Sequence, residues 1–174
     1  GRQLQWLKDT IAAHPEVDHR IVMGHTPIVR PVNKRNSSGL KLRGGRRSPL
    51  WKAMKSVDVD LYLCREVHAV RFRQRRHVVQ ISHGSIFGIN PTVNYLVVKV
   101  WPEKLRLHIK QIRTRNSGEK LWQPGPNRWV PRSEITIPED AKDGGFNPIA
   151  EMIIDKSEEE EILFTGPGGL DPLN

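Results

Sequence analysis

The sequence predicts an α/β protein in which alternating helices and strands are followed by antiparallel strands. Residues 2–64 read as helix, strand, helix and strand, and residues 70–112 read as two hairpins. Beyond about residue 116, Gly and Pro are frequent and periodicity is lost, which predicts an irregular tail. We therefore expect one unit over residues 1–115 and an irregular Pro/Gly-rich extension with an acidic tail over residues 116–174.

The first helix and the first strand are predicted from apolar spacing. Leu4, Leu7 and Ile11 fall on one face of a helix over residues 2–14, and Pro15 ends it by forcing the preceding residue out of helical geometry. The apolar run "RIVMG" at residues 20–24 is typical of a strand buried on both faces.

A polar, Gly-rich and basic segment separates that strand from the next helix. Residues 30–47 predict a long mobile loop. Ser48 as the cap and Pro49 at the first position predict that a helix begins there. In "VDVDLYLC", apolar residues then alternate with polar ones, which predicts a strand.

The following residues change to a pattern of consecutive antiparallel strands. "AVRFRQ" and "HVVQISHG" predict a hairpin that turns at Arg75 and Arg76. "VNYLVVKVW" and "KLRLHIKQI" predict another, which turns at Pro102 and Glu103. These strands are expected to pack as a sheet against the α/β layer.

Composition favours a globular protein over a disordered or membrane-spanning one. The 174 residues are 37% hydrophobic and include five Trp, so a sizeable core is possible. No apolar run approaches the length of a membrane span, so we expect no membrane partner. Cys64 is the only cysteine, which excludes an internal disulfide, and on a strand it is expected to be a small core residue.

The net charge of +9 is unevenly distributed along the chain. Residues 30–76 hold 14 Lys and Arg against three acidic residues, whereas residues 133–174 hold 11 acidic and two basic residues. The basic segment is interpreted either as a solvated surface, or as a surface that steers anionic substrates or binds nucleic acid. No nucleic-acid-binding motif accompanies it.

Two buried strands are each followed by a turn that carries histidine. "IVMGHTP" places His25 after the first strand, and "LYLCREVHA" places Glu66 and His68 after the second. If these strands are neighbours in one sheet, two imidazoles and one carboxylate emerge at the same edge. Such ligands suit Zn, Mn, Fe or Ni. A lone histidine at a strand end is more often structural. The presence of two such histidines, each after a buried strand, is what favours a metal site.

The ordered set "QLQWLKDTI", "GHTP", "VDVDLYLCREVHA" and "VVQISHG" resembles the C-terminal half of the calcineurin-like metallophosphoesterases, nearest the purple acid phosphatase-like branch. The resemblance covers roughly residues 2–100. It implies a partial β-sandwich with flanking helices and, in the complete domain, two divalent ions such as Zn, Mn or Fe. His25 would match a ligand of the second metal, and His68 the last histidine of a Gly-His-x-His motif that binds the first.

The implied activity is hydrolysis of a phosphate ester by water that the two metals activate. This chain departs from the family pattern because Arg65 and Glu66 replace Gly-His before x-His. Glu66 can still ligate through oxygen, and Arg65 can pair with Glu66 or bind a substrate phosphate. His83, which follows another strand in "ISHGS", is a further candidate for substrate binding.

A second departure concerns the ligands of the family's N-terminal half. Its Asp-x-His and Asn-His motifs have no counterpart in this sequence. The chain alone is therefore not expected to be active, and the missing half of the domain is an implied partner. Two other functions stay open: a non-catalytic binding module whose metal site is eroded at Arg65 and Glu66, and a nucleic-acid-binding protein that uses residues 30–76.

Overall fold

The computed structural model describes most of the first two thirds of the chain and several later strands. The described residues are 1–29, 39–66, 70–82, 92–113, 115–116, 122–124, 129–131, 135–136, 147–157 and 161–165. The α-helices are α1 (Arg2–Ala12) and α2 (Pro49–Ser56). The strands are β1 (Ile21–Met23), β2 (Leu61–Cys64), β3 (Arg71–Arg75), β4 (Val78–Ser82), β5 (Thr92–Trp101), β6 (Lys104–Arg113), β7 (Arg115–Asn116), β8 (Trp122–Pro124), β9 (Trp129–Pro131), β10 (Ile135–Thr136), β11 (Asn147–Asp155) and β12 (Glu161–Thr165).

The two helices begin and end close to where the sequence predicts. Helix α1 was predicted over residues 2–14 and ends at Ala12, a short distance before Pro15. At the start of α2 the Ser48 hydroxyl accepts a hydrogen bond from the Trp51 N–H at 3.2 Å, which confirms the predicted cap. Neither helix in the described part of the chain is long and apolar enough to span a membrane.

The first sheet has the strand order β1-β2-β4-β3. Strands β1, β2 and β4 are parallel, and β3 is antiparallel to β4. The β3–β4 hairpin was expected to turn at Arg75 and Arg76, but Arg75 pairs with Val78, so the turn consists of Arg76 and His77. Arg76 has a φ of 56°, the left-handed conformation that tight hairpin turns require.

The second sheet is antiparallel throughout and has the order β12-β11-β6-β5. Its β5–β6 hairpin turns at Pro102 and Glu103, as predicted, because Trp101 pairs with Lys104. Strand β11 comes from the range predicted as an irregular extension. It pairs with β6 and buries Met152 and Ile154, so part of residues 116–174 belongs to the core.

Two clusters of buried side chains join these elements into three layers. Leu61, Ile81 and other residues of the first sheet pack against Leu107, Met152 and other residues of the second sheet. On its other face, the first sheet packs against both helices through Trp51 and its neighbours. The predicted α/β fold, with sandwiched sheets, flanking helices and an antiparallel second half, is confirmed.

Strand β1 differs from the prediction that it is buried on both faces. Ile21 and Met23 are 38% and 78% exposed, and only Val22 packs against the cluster beneath the helices. The cluster between the two sheets includes Leu61 and Leu63 of the neighbouring strand β2 but neither Ile21 nor Met23, so the described part of the second sheet does not cover this face of β1.

Cys64 lies in the core, as expected, and this gives a first testable prediction. It is 2% exposed, and burial raises the pKa of its thiol from 9.0 to about 12. Because the thiolate is the reactive form, we expect labelling by a disulfide reagent at pH 8 to be at least about 100-fold slower in the folded protein than in denaturant. Equal rates in the two conditions would contradict the burial of Cys64.

Candidate functional site

The turns that carry His25 and Glu66 emerge from neighbouring parallel strands. In the register of β1 and β2, Met23 lies opposite Leu63. Because both strands run in the same direction, the residues that follow them lie at the same edge of the sheet. The prediction that the two turns meet at one edge is therefore confirmed.

Backbone hydrogen bonds hold these two turns together. The Gly24 N–H donates to the Leu63 carbonyl at 2.9 Å, and the Arg65 N–H donates to the His25 carbonyl at 3.0 Å. The parallel pairing thus continues past the last residue of each strand. The side chains of both turns are consequently mounted on a rigid support rather than on independent loops.

Tyr62 supports the first turn from below, and this contact explains why Gly24 is needed. The Tyr62 hydroxyl donates to the Thr26 carbonyl at 2.8 Å. A Cβ atom at Gly24 would collide with that hydroxyl oxygen, so a larger residue would displace Tyr62 from its hydrogen bond. Burial, and then the nearby Cys64, raises the pKa of Tyr62 to about 12, which keeps its proton available for the hydrogen bond.

The His25 imidazole and the Glu66 carboxylate are in direct contact. His25 Nε2 donates to Glu66 Oε2 at 2.7 Å. The Glu66 side chain is 8% exposed whereas that of His25 is 64% exposed, so the carboxylate lies beneath the ring. Glu66 also has a φ of 36°, a left-handed conformation that costs a non-glycine residue about 1–3 kcal/mol and is frequent at functional sites.

The other predicted site residues are placed as follows. Arg65 is exposed beside Glu66, and its backbone belongs to the link between the turns. His68 and His83 lie outside the described residues. Among the residues that are described, no three His, Cys, Asp or Glu side chains come close enough together to hold a metal ion. The structure therefore brings together two of the three predicted ligands, His25 and Glu66.

Sequence reasoning missed Gln80, which fixes the chain just after the His25 turn. Its side-chain oxygen accepts from the N–H groups of Ile28 and Val29, both at 2.8 Å. Its side-chain nitrogen donates to the Val29 carbonyl at 2.8 Å. Gln80 is 2% exposed, and a polar residue in the otherwise apolar run "VVQIS" was the signal that could have identified it.

Asp60, at the start of β2, is the centre of a buried charged network. Its carboxylate accepts from the Arg20 N–H at 2.8 Å and from the Lys156 ammonium at 2.9 Å. Lys156 also donates to the Asp18 carbonyl at 2.7 Å. The His19 ring lies 3.6 Å from the same carboxylate and donates to the Trp101 carbonyl at 2.8 Å. This network joins the first sheet to the second.

Comparisons with known proteins do not assign the chain to a family. No protein-family model matches it, and none of the curated proteins matches it either. One similar solved structure is described as GAP50, the anchor in the inner membrane complex of Plasmodium, with a TM-score of 0.41 and 14% sequence identity over 98% of this chain. This chain spans 44% of the length of that one. At this level of similarity the likeness carries no functional argument.

Proposed function

We propose that this chain is the C-terminal portion of a metal-dependent phosphoesterase in which His25, Glu66 and His68 contribute ligands to a two-metal site. The observation that carries the proposal is the 2.7 Å contact between His25 and Glu66 at the carboxyl ends of adjacent parallel strands. A nitrogen donor and an oxygen donor converge there on a supported edge. The resemblance assigns His25 to one of the metals, and Glu66 stands where the family has a histidine ligand.

The donor chemistry fits a divalent ion such as Zn, Mn or Fe. Imidazole nitrogen and carboxylate oxygen both bind such ions, at about 2.0–2.2 Å in the case of Zn. The exposed ring of His25 is reachable from solvent, and Glu66 lies behind it as a buried anion that attracts a cation. Binding requires that the ion replace the hydrogen bond between the two side chains, and that Nε2 lose its proton.

A bound ion would supply activation of water and neutralisation of charge on the phosphoryl oxygens. The side chains of this chain have separate tasks. Before an ion binds, Glu66 holds the His25 ring in place through the hydrogen bond between them, and this bond gives way to the metal–ligand contacts. Arg65, exposed at the same turn, is assigned to bind a phosphate oxygen of the ester, since a guanidinium group suits that geometry. The remaining ligands are assigned to the missing N-terminal half of the domain.

The test compares metal content and p-nitrophenyl phosphate hydrolysis in the longest natural chain and its variants. We expect His25→Ala and Glu66→Gln each to lose at least about tenfold in metal affinity and in turnover, because the first removes a nitrogen donor and the second replaces a carboxylate with a weaker amide oxygen. His14→Ala is the matched control, since His14 is an exposed histidine in the turn after α1. Full activity and metal content in both site variants would reject the proposal.

The second candidate is a non-catalytic binding module on the same fold. It is favoured by the direct hydrogen bond between His25 and Glu66, because each side chain has the other as a partner without an ion. It predicts neither stoichiometric metal nor hydrolysis, even when the N-terminal half is present. The double variant Arg65→Gly, Glu66→His discriminates between the two: a gain of activity supports the enzyme, and no gain supports the binding module.

A further inference from the structure

A basic groove lies on the helix side of the first sheet, apart from the His25 turn. It is a cavity of about 530 Å³. Its charged lining residues are all positive: Lys41, Arg46, Arg47, Arg73 and Arg75. No carboxylate is found among the described residues that line it. We call this cavity the basic groove.

Two elements that are distant in sequence supply these charges. Arg73 and Arg75 alternate along β3 with Phe72, which packs into the core between the sheets. They therefore face the opposite side, toward the helices. Lys41, Arg46 and Arg47 come from the segment before α2. Because β3 and the segment before α2 approach each other, the groove between them is concave. A row of charges along one strand would instead form a flat surface.

The segment before α2 owes its close approach to two glycines. Gly44 and Gly45 have φ values of 84° and 49°. A Cβ atom at Gly45 would lie 3.2 Å from the Ile28 carbonyl oxygen, so a side chain there would push the segment away. Gln80 holds Ile28 and Val29 in place at the same point. The wall that carries Arg46 and Arg47 is therefore built against a fixed backbone.

The groove places like charges close together in a partly enclosed space. Burial, and then repulsion by Arg75, lowers the pKa of Arg73, so both effects act against its charged form. An anion within the groove offsets that repulsion. Guanidinium groups bind phosphate oxygens in a bidentate manner.

We infer that the basic groove binds a compact anion with two or more phosphate groups. The five basic side chains carry more positive charge than one orthophosphate would neutralise. The cavity volume of about 530 Å³ suits a small molecule. No aromatic side chain is among its described lining residues, so the base-stacking platform typical of single-stranded nucleic-acid sites is not part of it. The inference does not depend on the proposed phosphoesterase activity.

The test is calorimetric titration of the 174-residue chain with inorganic tripolyphosphate at low and at moderate salt. We expect saturable binding that weakens as salt rises, and at least about tenfold weaker binding of orthophosphate. Two double variants remove charge from opposite walls: Arg73→Gln with Arg75→Gln, and Arg46→Gln with Arg47→Gln. Each is expected to weaken tripolyphosphate binding at least about tenfold, because charge-assisted hydrogen bonds are lost.

The control is Lys8→Gln with Lys99→Gln, which lowers the net charge equally at two exposed positions outside the groove. It is expected to change the dissociation constant by less than about twofold. Equal losses in control and groove variants would show that only net charge matters, and would overturn the inference. Absence of tripolyphosphate binding, or binding of a single-stranded oligonucleotide alone, would overturn it as well. The second groove variant keeps the test valid if one fails to fold.

Discussion

Replacing Gln80 with leucine is expected to lower the free energy of unfolding by about 3–9 kcal/mol. The change leaves three buried backbone groups without partners, namely the N–H of Ile28 and the N–H and carbonyl of Val29. Each unsatisfied buried group costs about 1–3 kcal/mol, and a leucine side chain of similar size offsets little of this. Since small domains are stable by about 5–15 kcal/mol, the loss should be evident in a urea titration.

The matched control for this change is Gln74→Leu on the adjacent strand β3. Gln74 is exposed, and its side chain donates to the Arg76 carbonyl in the turn. A surface substitution of this kind is expected to stay within about 0.5 kcal/mol of the parent protein. If Gln80→Leu were as stable as Gln74→Leu, the side-chain clamp on Ile28 and Val29 would be disproved.

Replacing Asp60 with alanine is expected to destabilise the protein by about 3–5 kcal/mol. Asp60 is 2% exposed, and its removal leaves the Lys156 ammonium without its carboxylate and the Arg20 N–H without its acceptor. An uncompensated charge in a partly buried position is the dominant cost. Denaturant unfolding, followed by tryptophan fluorescence, measures the loss.

The control is Asp155→Ala, which breaks an ion pair with Lys104 at the surface. The Lys104 hydrogen bond lowers the pKa of Asp155 to about 2, yet the pair is solvated and its loss should be much smaller. A double-mutant cycle of Asp60→Ala with Lys156→Met should show a coupling energy of about 0.5–3 kcal/mol. Additive effects in that cycle would mean that the two side chains do not stabilise each other.

The parts of the fold that were predictable depend on residues that are close together in the sequence. The β5–β6 hairpin follows from two alternating runs around Pro102 and Glu103, and the start of α2 follows from Ser48 and Pro49. The shared edge was expected on the condition that the two strands are neighbours in one sheet, and the parallel pairing of β1 with β2 meets that condition. The meeting of His25 and Glu66 depends on that pairing alone.

What the sequence could not predict depends on contacts between residues distant in the chain. Gln80 binds Ile28 and Val29 across about fifty positions, and no local pattern reveals which backbone groups a buried amide will meet. The exposure of Met23 is a similar case, since an apolar run does not show whether another layer of the fold will cover both faces of its strand. The pairing of β11 with β6 was hidden by the Gly- and Pro-rich residues that separate them.

The position of β11 between β6 and β12 has a consequence for the biosynthesis of the protein. On the ribosome, β5 and β6 can pair as soon as they emerge, because they are joined by a tight turn. Strand β11 is translated only after residues 114–146. Until then, β6 lacks its second hydrogen-bonded neighbour, and Leu105 and Leu107 lack their contacts with β11. Nascent chains thus pass through an interval in which an unpaired β6 edge is a target for chaperones or for aggregation.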